Sequence, residues 1–209
     1  MDAQRPGGIA AQALAFGTAT LHECCDVPNM LDPAIRPLFA GARMAGPAWP
    51  VRCAPGDNLA IHVGMARIPR GSVLVVDAQA FLAGYWGEVL TVAAQSQGVA
   101  GVVIDGGVRD TAAIVAMRYP MFVRGVSVKG TVKSNVVSVG EPLLMAGTRV
   151  APGDLVVGDD DGVVCLPADR LAEVLEKARV RTEKEKVFME QLKQGKTTLD
   201  LLGLAQHPS

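Results

Sequence analysis

This chain has few aromatic residues and no large excess of charge of either sign. Only 4% of its 209 residues are Phe, Trp or Tyr, so the stacking platforms that bind single-stranded nucleic acids would be hard to assemble. The 20 basic and 21 acidic residues leave a formal net charge of -1, which supplies no field to attract a nucleic acid. The composition therefore predicts that nucleic acids are not partners of this protein.

Signals for membranes and for zinc are missing as well. No apolar stretch reaches the roughly 18–20 residues that a membrane span requires, and the opening MDAQRP has no basic segment followed by an apolar one. We therefore expect no membrane partner and a cytoplasmic location. The three histidines are scattered and the four cysteines have no C-x-x-C spacing, which disfavours a zinc site.

The chain does have the length and the 49% hydrophobic content of one globular domain. Short β-branched runs predict buried strands, and two helical patterns separate the central ones, which predicts an α/β fold with a central βαβ unit. The last two strands follow Pro-Gly-Asp and Asp-Gly turns, so they should pair antiparallel. The predicted strands are 71–77, 99–105, 120–123, 136–139, 155–157 and 162–166, and the two central helices are 88–97 and 110–117.

A long helix is predicted over 168–195, which divides the chain into an α/β catalytic domain at 1–167 and a helical extension at 168–209. Steps of four and three along this helix give a mostly apolar seam that Thr182 and Glu185 interrupt. Two interpretations of Glu185 are open. It pairs in solvent with a cation of its own helix, or it points into the cleft of a neighbouring subunit, which predicts a homo-oligomer onto which the extension packs. The candidate cations are Arg181, Lys184 and Lys186.

The densest chemical sequence is DGGVRD at 105–110. It leaves a buried strand, turns on two glycines and presents Arg109 and Asp110 at the start of the next helix, where open α/β sheets bind ligands. The two side chains could be a helix cap with its own salt bridge. Alternatively, Asp110 offers a hard oxygen ligand to Mg²⁺ or Mn²⁺, and Arg109 offers a planar fork to a carboxylate.

A second candidate site is the segment GYWGEVL at 84–90, at another strand-to-helix turn. A glycine there leaves backbone N–H groups of the first helical turn uncovered, and with the helix dipole these groups make an anion site. A small carboxylate would fit, so Gly87, Val89 and Leu90 are assigned to substrate binding together with Arg109. Glu88 could act beside them through metal-bound water, or it could be an ordinary first-turn acid favoured by the dipole.

These segments resemble the 4-hydroxy-4-methyl-2-oxoglutarate/4-carboxy-4-hydroxy-2-oxoadipate aldolases. That family consists of metal-dependent class II pyruvate aldolases related in fold to the regulator of ribonuclease activity A. The resemblance rests on Gly87-Glu88, on VVIDGGVRD at 102–110 and on PMFVRG at 120–125, and it covers most of the chain. The ribonuclease regulators share the Val-Arg-Asp turn, so a non-catalytic binding protein of that type is the alternative.

The resemblance implies a swivelling β/β/α fold, assembled as trimers or hexamers with sites between subunits. It implies that Asp110 ligates Mg²⁺ or Mn²⁺, that Arg109 contacts the pyruvyl group and that Glu88 lies in the outer metal shell. Glu185 is the best match for an acid from a neighbouring subunit. The expected reaction cleaves 4-hydroxy-2-oxo di- or tricarboxylic acids to pyruvate and a second oxo acid. A metal-stabilised pyruvate enolate is the intermediate, and oxaloacetate decarboxylation is the expected side activity.

Overall fold

The structure is a computed structural model that describes residues 6–145 and 147–204. Two predictions fall partly outside the described residues. The predicted location rests in part on residues 1–5, and the predicted extension includes residues 205–209. The helices are α1 Pro6–Phe16, α2 Thr18–Glu23, α3 Leu59–Met65, α4 Glu88–Gln97, α5 Thr111–Ala116, α6 Leu171–Lys193 and α7 Thr198–Leu201. The strands are β1 Arg36–Pro37, β2 Met44–Arg52, β3 Val73–Asp77, β4 Gly101–Val108, β5 Met121–Val126, β6 Ser138–Val139, β7 Leu143–Met145, β8 Thr148–Val150, β9 Leu155–Asp159 and β10 Gly162–Leu166.

One eight-stranded sheet organises the fold, in the order β1-β5-β4-β3-β2-β9-β10 with β6 paired to β2. Strands β2, β3, β4 and β5 are parallel neighbours, and α3, α4 and α5 connect them in turn. Strands β9 and β10 pair antiparallel, as their turn residues predict. The predicted α/β class, with its central βαβ unit and long C-terminal helix, is confirmed.

The edges of this sheet approach each other, so it forms a nearly closed barrel. The Arg36 guanidinium on β1 donates hydrogen bonds to the carbonyls of Asp160 and Asp161, between β9 and β10, at 2.8 and 2.9 Å. The Leu31 N–H donates to the Val163 carbonyl of β10 at 3.0 Å. These contacts join the first and last strands of the sheet and enclose an interior.

Every residue of β3 is buried because both faces of the strand are covered. Leu74 and Val76 belong to the core beneath α3, α4 and α5, whereas Val73 and Val75 belong to the core inside the barrel. A third core lies between β9, β10 and the helices α1, α2 and α6. The continuous apolar run of β3, without alternation, follows from this burial on two sides.

Strand β2 was not predicted, although at nine residues it is the longest described strand. Its sequence MAGPAWPVR contains two prolines, which lack the N–H needed for a ladder and so argue against a central strand. The strand tolerates them because its partner changes along its length: Pro47 lies opposite Leu155 of β9, and Pro50 lies opposite Val75 of β3. The helices α1, α2, α3 and α7, strand β1 and the β7–β8 hairpin were also missed.

Only the first part of α6 is buried within the chain, at Val174, Leu175 and Ala178. Beyond that point Val180, Val187 and Met189 are 54%, 55% and 51% exposed. Past Ala178 the helix therefore carries apolar side chains that the described residues leave exposed.

Among the residues that the structure describes, no helix combines the length and the apolar character that crossing a membrane requires.

Candidate active site

The predicted turn at Gly106 and Gly107 is not present, because strand β4 continues through both glycines to Val108. The pairing of β4 with β5 instead shifts register between Ile104 and Gly107. A Cβ atom on Gly106 would lie 2.8 Å from the Ala78 Cβ, and one on Gly107 would lie 2.6 Å from the Ala83 carbonyl oxygen. Only glycine fits at these two positions, so the strand can pass close to the segment that precedes α4.

Asp110 lies two residues beyond the end of β4 in a left-handed backbone conformation, with φ 56° and ψ 34°. It occupies the N-cap position of α5, yet its side chain makes no hydrogen bond to that helix. Its Oδ2 instead accepts a hydrogen bond from the Glu88 N–H, at the start of α4, at 3.1 Å. A left-handed non-glycine residue is strained, and such strain is typical of functional sites. The predicted cap therefore exists, but it caps the neighbouring helix.

Arg109 lies beside this carboxylate, with its Nε 3.8 Å from Asp110 Oδ2. The two side chains are 51% and 44% exposed, so solvent screens this long ion pair. The Arg109 side chain packs on Gly84, where a Cβ atom would lie 3.0 Å from the Arg109 Cδ. Arg109 is thus held at the cleft while its guanidinium is not neutralised by a close carboxylate.

The start of α4 is fixed by a buried chain of hydrogen bonds. The Trp86 indole N–H donates to Thr91 Oγ1 at 2.8 Å, and this hydroxyl donates to the Gly87 carbonyl at 3.0 Å. Gly87 has an extended backbone, but a Cβ atom there would overlap Asp110 Oδ2. The glycine is therefore needed for the close approach of the Asp110 carboxylate.

The predicted anion site at this helix start is altered in one respect. Asp110 already accepts the Glu88 N–H, so that donor is not available to a ligand while the contact lasts. Gly87, Val89 and Leu90 do line the cleft that contains Arg109 and Asp110, which has a volume of about 330 Å³. The Glu88 side chain is exposed and does not line the cleft; only its N–H contacts Asp110.

The sequence analysis missed one whole wall of the cleft, formed by Asn58, His62 and Lys133. Asn58 precedes α3 and is 5% exposed, and its Nδ2 donates to the Tyr85 carbonyl at 2.9 Å. Burial, together with the nearby charge of Lys133, lowers the pKa of His62. The Asp-Asn pair after a Pro-Gly turn is a typical helix start and was the available signal for this wall.

The loop that carries Lys133 is tied to the start of α3. The Asp57 carboxylate accepts hydrogen bonds from the N–H groups of Leu59, Ser134 and Asn135 at 2.9, 2.9 and 2.8 Å. These backbone hydrogen bonds, above all that from Leu59, lower the pKa of the Asp57 carboxyl. The loop is therefore anchored next to Asn58.

Glu185 does not line this cleft within its own chain. Its Oε1 accepts a hydrogen bond from Arg181 Nε at 2.7 Å, and Arg181 also pairs with Glu23 of α2. This agrees with the first interpretation of Glu185, with Arg181 as the cation. Glu185 also lines a larger groove of about 720 Å³ along α6. The smaller cleft is the better candidate site, because there a strained carboxylate and an arginine lie together at the start of a helix. The second interpretation concerns a neighbouring subunit and stays a prediction.

The side-chain donors at the cleft decide which metal ions it could hold. Within 6–145 and 147–204, no three His, Cys, Asp or Glu side chains converge to hold a metal ion. A tetrahedral zinc site therefore does not fit. Asp110 is half-exposed, and among the described residues its hydrogen bond is made through Oδ2. It therefore suits a hard ion such as Mg²⁺ or Mn²⁺, which keeps water and substrate oxygens as its other ligands.

The fold and the cleft define a barrel-like α/β protein with an aspartate–arginine site at the end of its central βαβ unit. The family model described as RraA-like, Aldolase/RraA, matches residues 18–165, and the chain belongs to this family. The matched region contains the whole cleft but not α6, which carries Glu185.

Relatives come from both branches that the sequence resembles. A protein of Halalkalibacterium halodurans named "Putative 4-hydroxy-4-methyl-2-oxoglutarate aldolase" is 34% identical over 163 residues, 78% of each chain. The crystal structure of an uncharacterized protein from Pseudomonas syringae pv. tomato has a TM-score of 0.86 and 29% identity, covering 95% of this chain and 94% of that one. The RNA-processing inhibitor RraA from Thermus thermophilis has a TM-score of 0.66 and 28% identity, covering 72% of this chain and 92% of that one.

Proposed function

We propose that this protein is a carbon–carbon lyase that depends on a divalent metal ion. It cleaves 4-hydroxy-2-oxo di- or tricarboxylic acids to pyruvate and a second oxo acid. The observation that carries the proposal is the Asp110 carboxylate, which a strained backbone directs into a cleft beside Arg109. The similarity to a relative named as an aldolase supports the same reaction.

Arg109 binds the carboxylate of the pyruvyl half of the substrate. Its guanidinium is planar and has several N–H donors, and its ion pair with Asp110 is long and exposed, so a substrate carboxylate can compete for it. The positive charge then lies next to the atoms on which negative charge develops. A charge positioned before the reaction stabilises the transition state without reorganisation.

The reaction breaks the bond between C3 and C4 of the substrate. The C4 hydroxyl loses its proton to a base, C4 becomes the carbonyl carbon of the released oxo acid, and the electron pair of the broken bond forms the pyruvate enolate. Protonation at C3 completes pyruvate, so no net proton is consumed. The candidate bases are Glu88, whose side chain is exposed next to Gly87, and water held beside Arg109.

Asp110 would hold Mg²⁺ or Mn²⁺, with Glu88 in the outer shell. The ion would supply a Lewis acid for the oxo and carboxylate oxygens of the substrate. Decarboxylation of oxaloacetate leads to the same pyruvate enolate, so we propose it as a side activity.

We also propose that the working form is a trimer or hexamer in which Glu185 serves a neighbouring subunit. This assembly is supported by the exposed apolar side chains of α6 past Ala178, which are Val180, Val187 and Met189. In the single chain Glu185 and Arg181 are both partly exposed, at 44% and 40%, so their pair can be exchanged at low cost.

A second candidate function is binding to a ribonuclease, which the similarity to an RNA-processing inhibitor favours. The ribonuclease regulators share the Val-Arg-Asp turn, so Arg109 and Asp110 do not separate the two functions. Glu88 and Glu185 favour the lyase, because an inhibitor has no need of a metal site completed by acids on separate segments.

The test is pyruvate release from a panel of 4-hydroxy-2-oxo acids and oxaloacetate, with added Mg²⁺ and in excess EDTA. We expect release with Mg²⁺ and its loss in EDTA. Full activity in EDTA would rule out the metal. No release from any substrate, combined with inhibition of a ribonuclease, would favour the second function.

A further inference from the structure

Two buried residues next to the cleft have no part in the proposed chemistry. They are Trp86, which precedes Gly87, and Thr91 of α4, and both are fully buried, so neither side chain touches a substrate. Resting on the proposed lyase function, we propose that Trp86 and Thr91 are positioning residues. They orient the peptide group between Gly87 and Glu88, and this group holds the Asp110 carboxylate where it binds the metal ion.

The peptide group between Gly87 and Glu88 has contacts at both of its ends. Its N–H belongs to Glu88 and donates to Asp110 Oδ2 at 3.1 Å. Its carbonyl belongs to Gly87 and accepts from the Thr91 hydroxyl at 3.0 Å and from the Thr91 N–H at 3.1 Å. The group is trans and planar, so its N–H and its carbonyl point in opposite directions. Fixing the carbonyl on Thr91 therefore directs the N–H toward Asp110.

Gly87 does not orient this peptide group by itself. A glycine has no side chain to restrict the rotation of its backbone, and Gly87 lies at the N-cap of α4 without a side-chain cap. Alanine does not fit there, because its Cβ atom would overlap Asp110 Oδ2. The restraint must therefore come from a neighbouring residue, and the Thr91 hydroxyl supplies it.

Trp86 determines which way the Thr91 hydroxyl points. A hydroxyl is both a donor and an acceptor, whereas an indole N–H is a donor only. The Trp86 indole donates to Thr91 Oγ1 at 2.8 Å, so the hydrogen of the hydroxyl is left for the Gly87 carbonyl. The Trp86 carbonyl also accepts from the Arg109 N–H at 2.9 Å. Trp86 therefore connects the start of α4 to both members of the Arg109 and Asp110 pair.

A positioning role differs from a purely structural one in what it requires of Thr91. Pairing the buried Trp86 indole N–H requires only an acceptor at position 91. Orienting the Gly87 carbonyl requires a donor there as well. Substitutions that keep or remove the donor therefore separate the two roles.

The test replaces Thr91 and follows both Mn²⁺ binding and the Glu88 N–H. Thr91→Val has nearly the same shape but no hydroxyl, so Mn²⁺ affinity by calorimetry should fall by about 3- to 10-fold, the range for one neutral hydrogen bond. In NMR spectra of the metal-free variant the Glu88 amide proton should move upfield, because its bond to the carboxylate is weakened. Thr91→Ser keeps the hydroxyl, so both quantities should stay close to those of the wild type.

Ser96→Ala is the matched control. Ser96 lies on the same helix, but it is exposed and its Oγ donates to the Ala93 carbonyl at 2.8 Å, so this variant should change Mn²⁺ affinity by less than about twofold. Thr91→Val leaves the Trp86 indole N–H unpaired, which threatens folding. Thr91→Cys is the second variant, because its sulfur is a weak acceptor for the indole and only a weak donor to Gly87. It should change both quantities in the same direction as valine.

The outcomes separate the positioning role from the proposed function. Wild-type Mn²⁺ affinity and an unmoved Glu88 amide proton in the valine or cysteine variant would overturn the positioning role. A loss of affinity in Thr91→Ser as large as that in Thr91→Val would overturn it too. A wild-type protein that binds no Mn²⁺ and releases no pyruvate would overturn the lyase function, and the Glu88 amide shift would still decide whether Thr91 orients the peptide group.

Discussion

Replacing Gly87 by alanine isolates the contact between the Asp110 carboxylate and the start of α4. The new methyl group would overlap Asp110 Oδ2 and lie 3.2 Å from its Cγ and 3.3 Å from the Arg109 Cγ. The backbone of Gly87 is extended, so alanine adds no strain of its own there. The expected result is a carboxylate pushed away from the Glu88 N–H.

Gly87→Ala should lower Mn²⁺ affinity and turnover more than it lowers the stability of the fold. The Asp110 side chain is 44% exposed and can move into solvent, so we expect the free energy of unfolding to fall by only about 1 kcal/mol. A hydrogen bond to a charged group contributes about 1.5–3 kcal/mol, and about 1.4 kcal/mol corresponds to tenfold. If this bond positions the metal ligand, Mn²⁺ affinity should fall by about 10- to 100-fold, and turnover should fall with it.

Calorimetric titration with Mn²⁺, pyruvate release and thermal unfolding measure the three quantities. Gly130→Ala is the control, because a Cβ atom there meets nothing within 4 Å, and it should change Mn²⁺ affinity by less than about twofold. A Gly87→Ala variant that binds Mn²⁺ and turns over like the wild type would refute the role given to the Asp110 carboxylate.

Three further predictions test the remaining residues. Asp110→Asn should abolish turnover by weakening metal binding, and undiminished Mg²⁺ affinity of this variant by calorimetry would contradict the ligand assignment. Arg109→Lys should bind metal but lose at least ~10²-fold in rate, since a point charge does not replace a bidentate fork. Glu185→Ala should fold and assemble yet turn over slowly, and mixing its subunits with Asp110→Asn subunits should restore part of the turnover. If verified mixing restores no turnover, or light scattering shows a monomer, the site is not shared between subunits. The pKa of His62 is lowered from 6.5 in the folded protein, so the unfolded chain binds more protons and stability should be lost as pH falls below about 6.5. His62→Gln should flatten this loss in denaturant titrations. An unchanged slope of the unfolding free energy against pH would contradict the prediction.

Local patterns in the sequence were enough for the central architecture. The helix predicted at 88–97 has the observed bounds of α4, and the apolar runs around it are the parallel strands β3, β4 and β5. These elements are short-range: buried β-branched runs and helical periodicity are set by neighbours within about ten residues. The candidate pair Arg109 and Asp110 followed from the same local logic, because a strand, two glycines and a helix start must bring them to the end of the sheet.

The tertiary structure decided which partners these elements and side chains have. Strand β2 passes through two prolines because β9 and β3 each pair with only part of it, and no local rule anticipates that change of partner. Asp110 caps a helix that begins 22 residues earlier, and Asp57 holds a loop 77 residues later. Contacts at such separations depend on how the whole sheet is ordered, whereas sequence patterns report only burial and backbone preference. For that reason the aspartate and the arginine could be predicted, whereas the helix-start signal at Asp57-Asn58 did not show that Asn58, His62 and Lys133 line the same cleft.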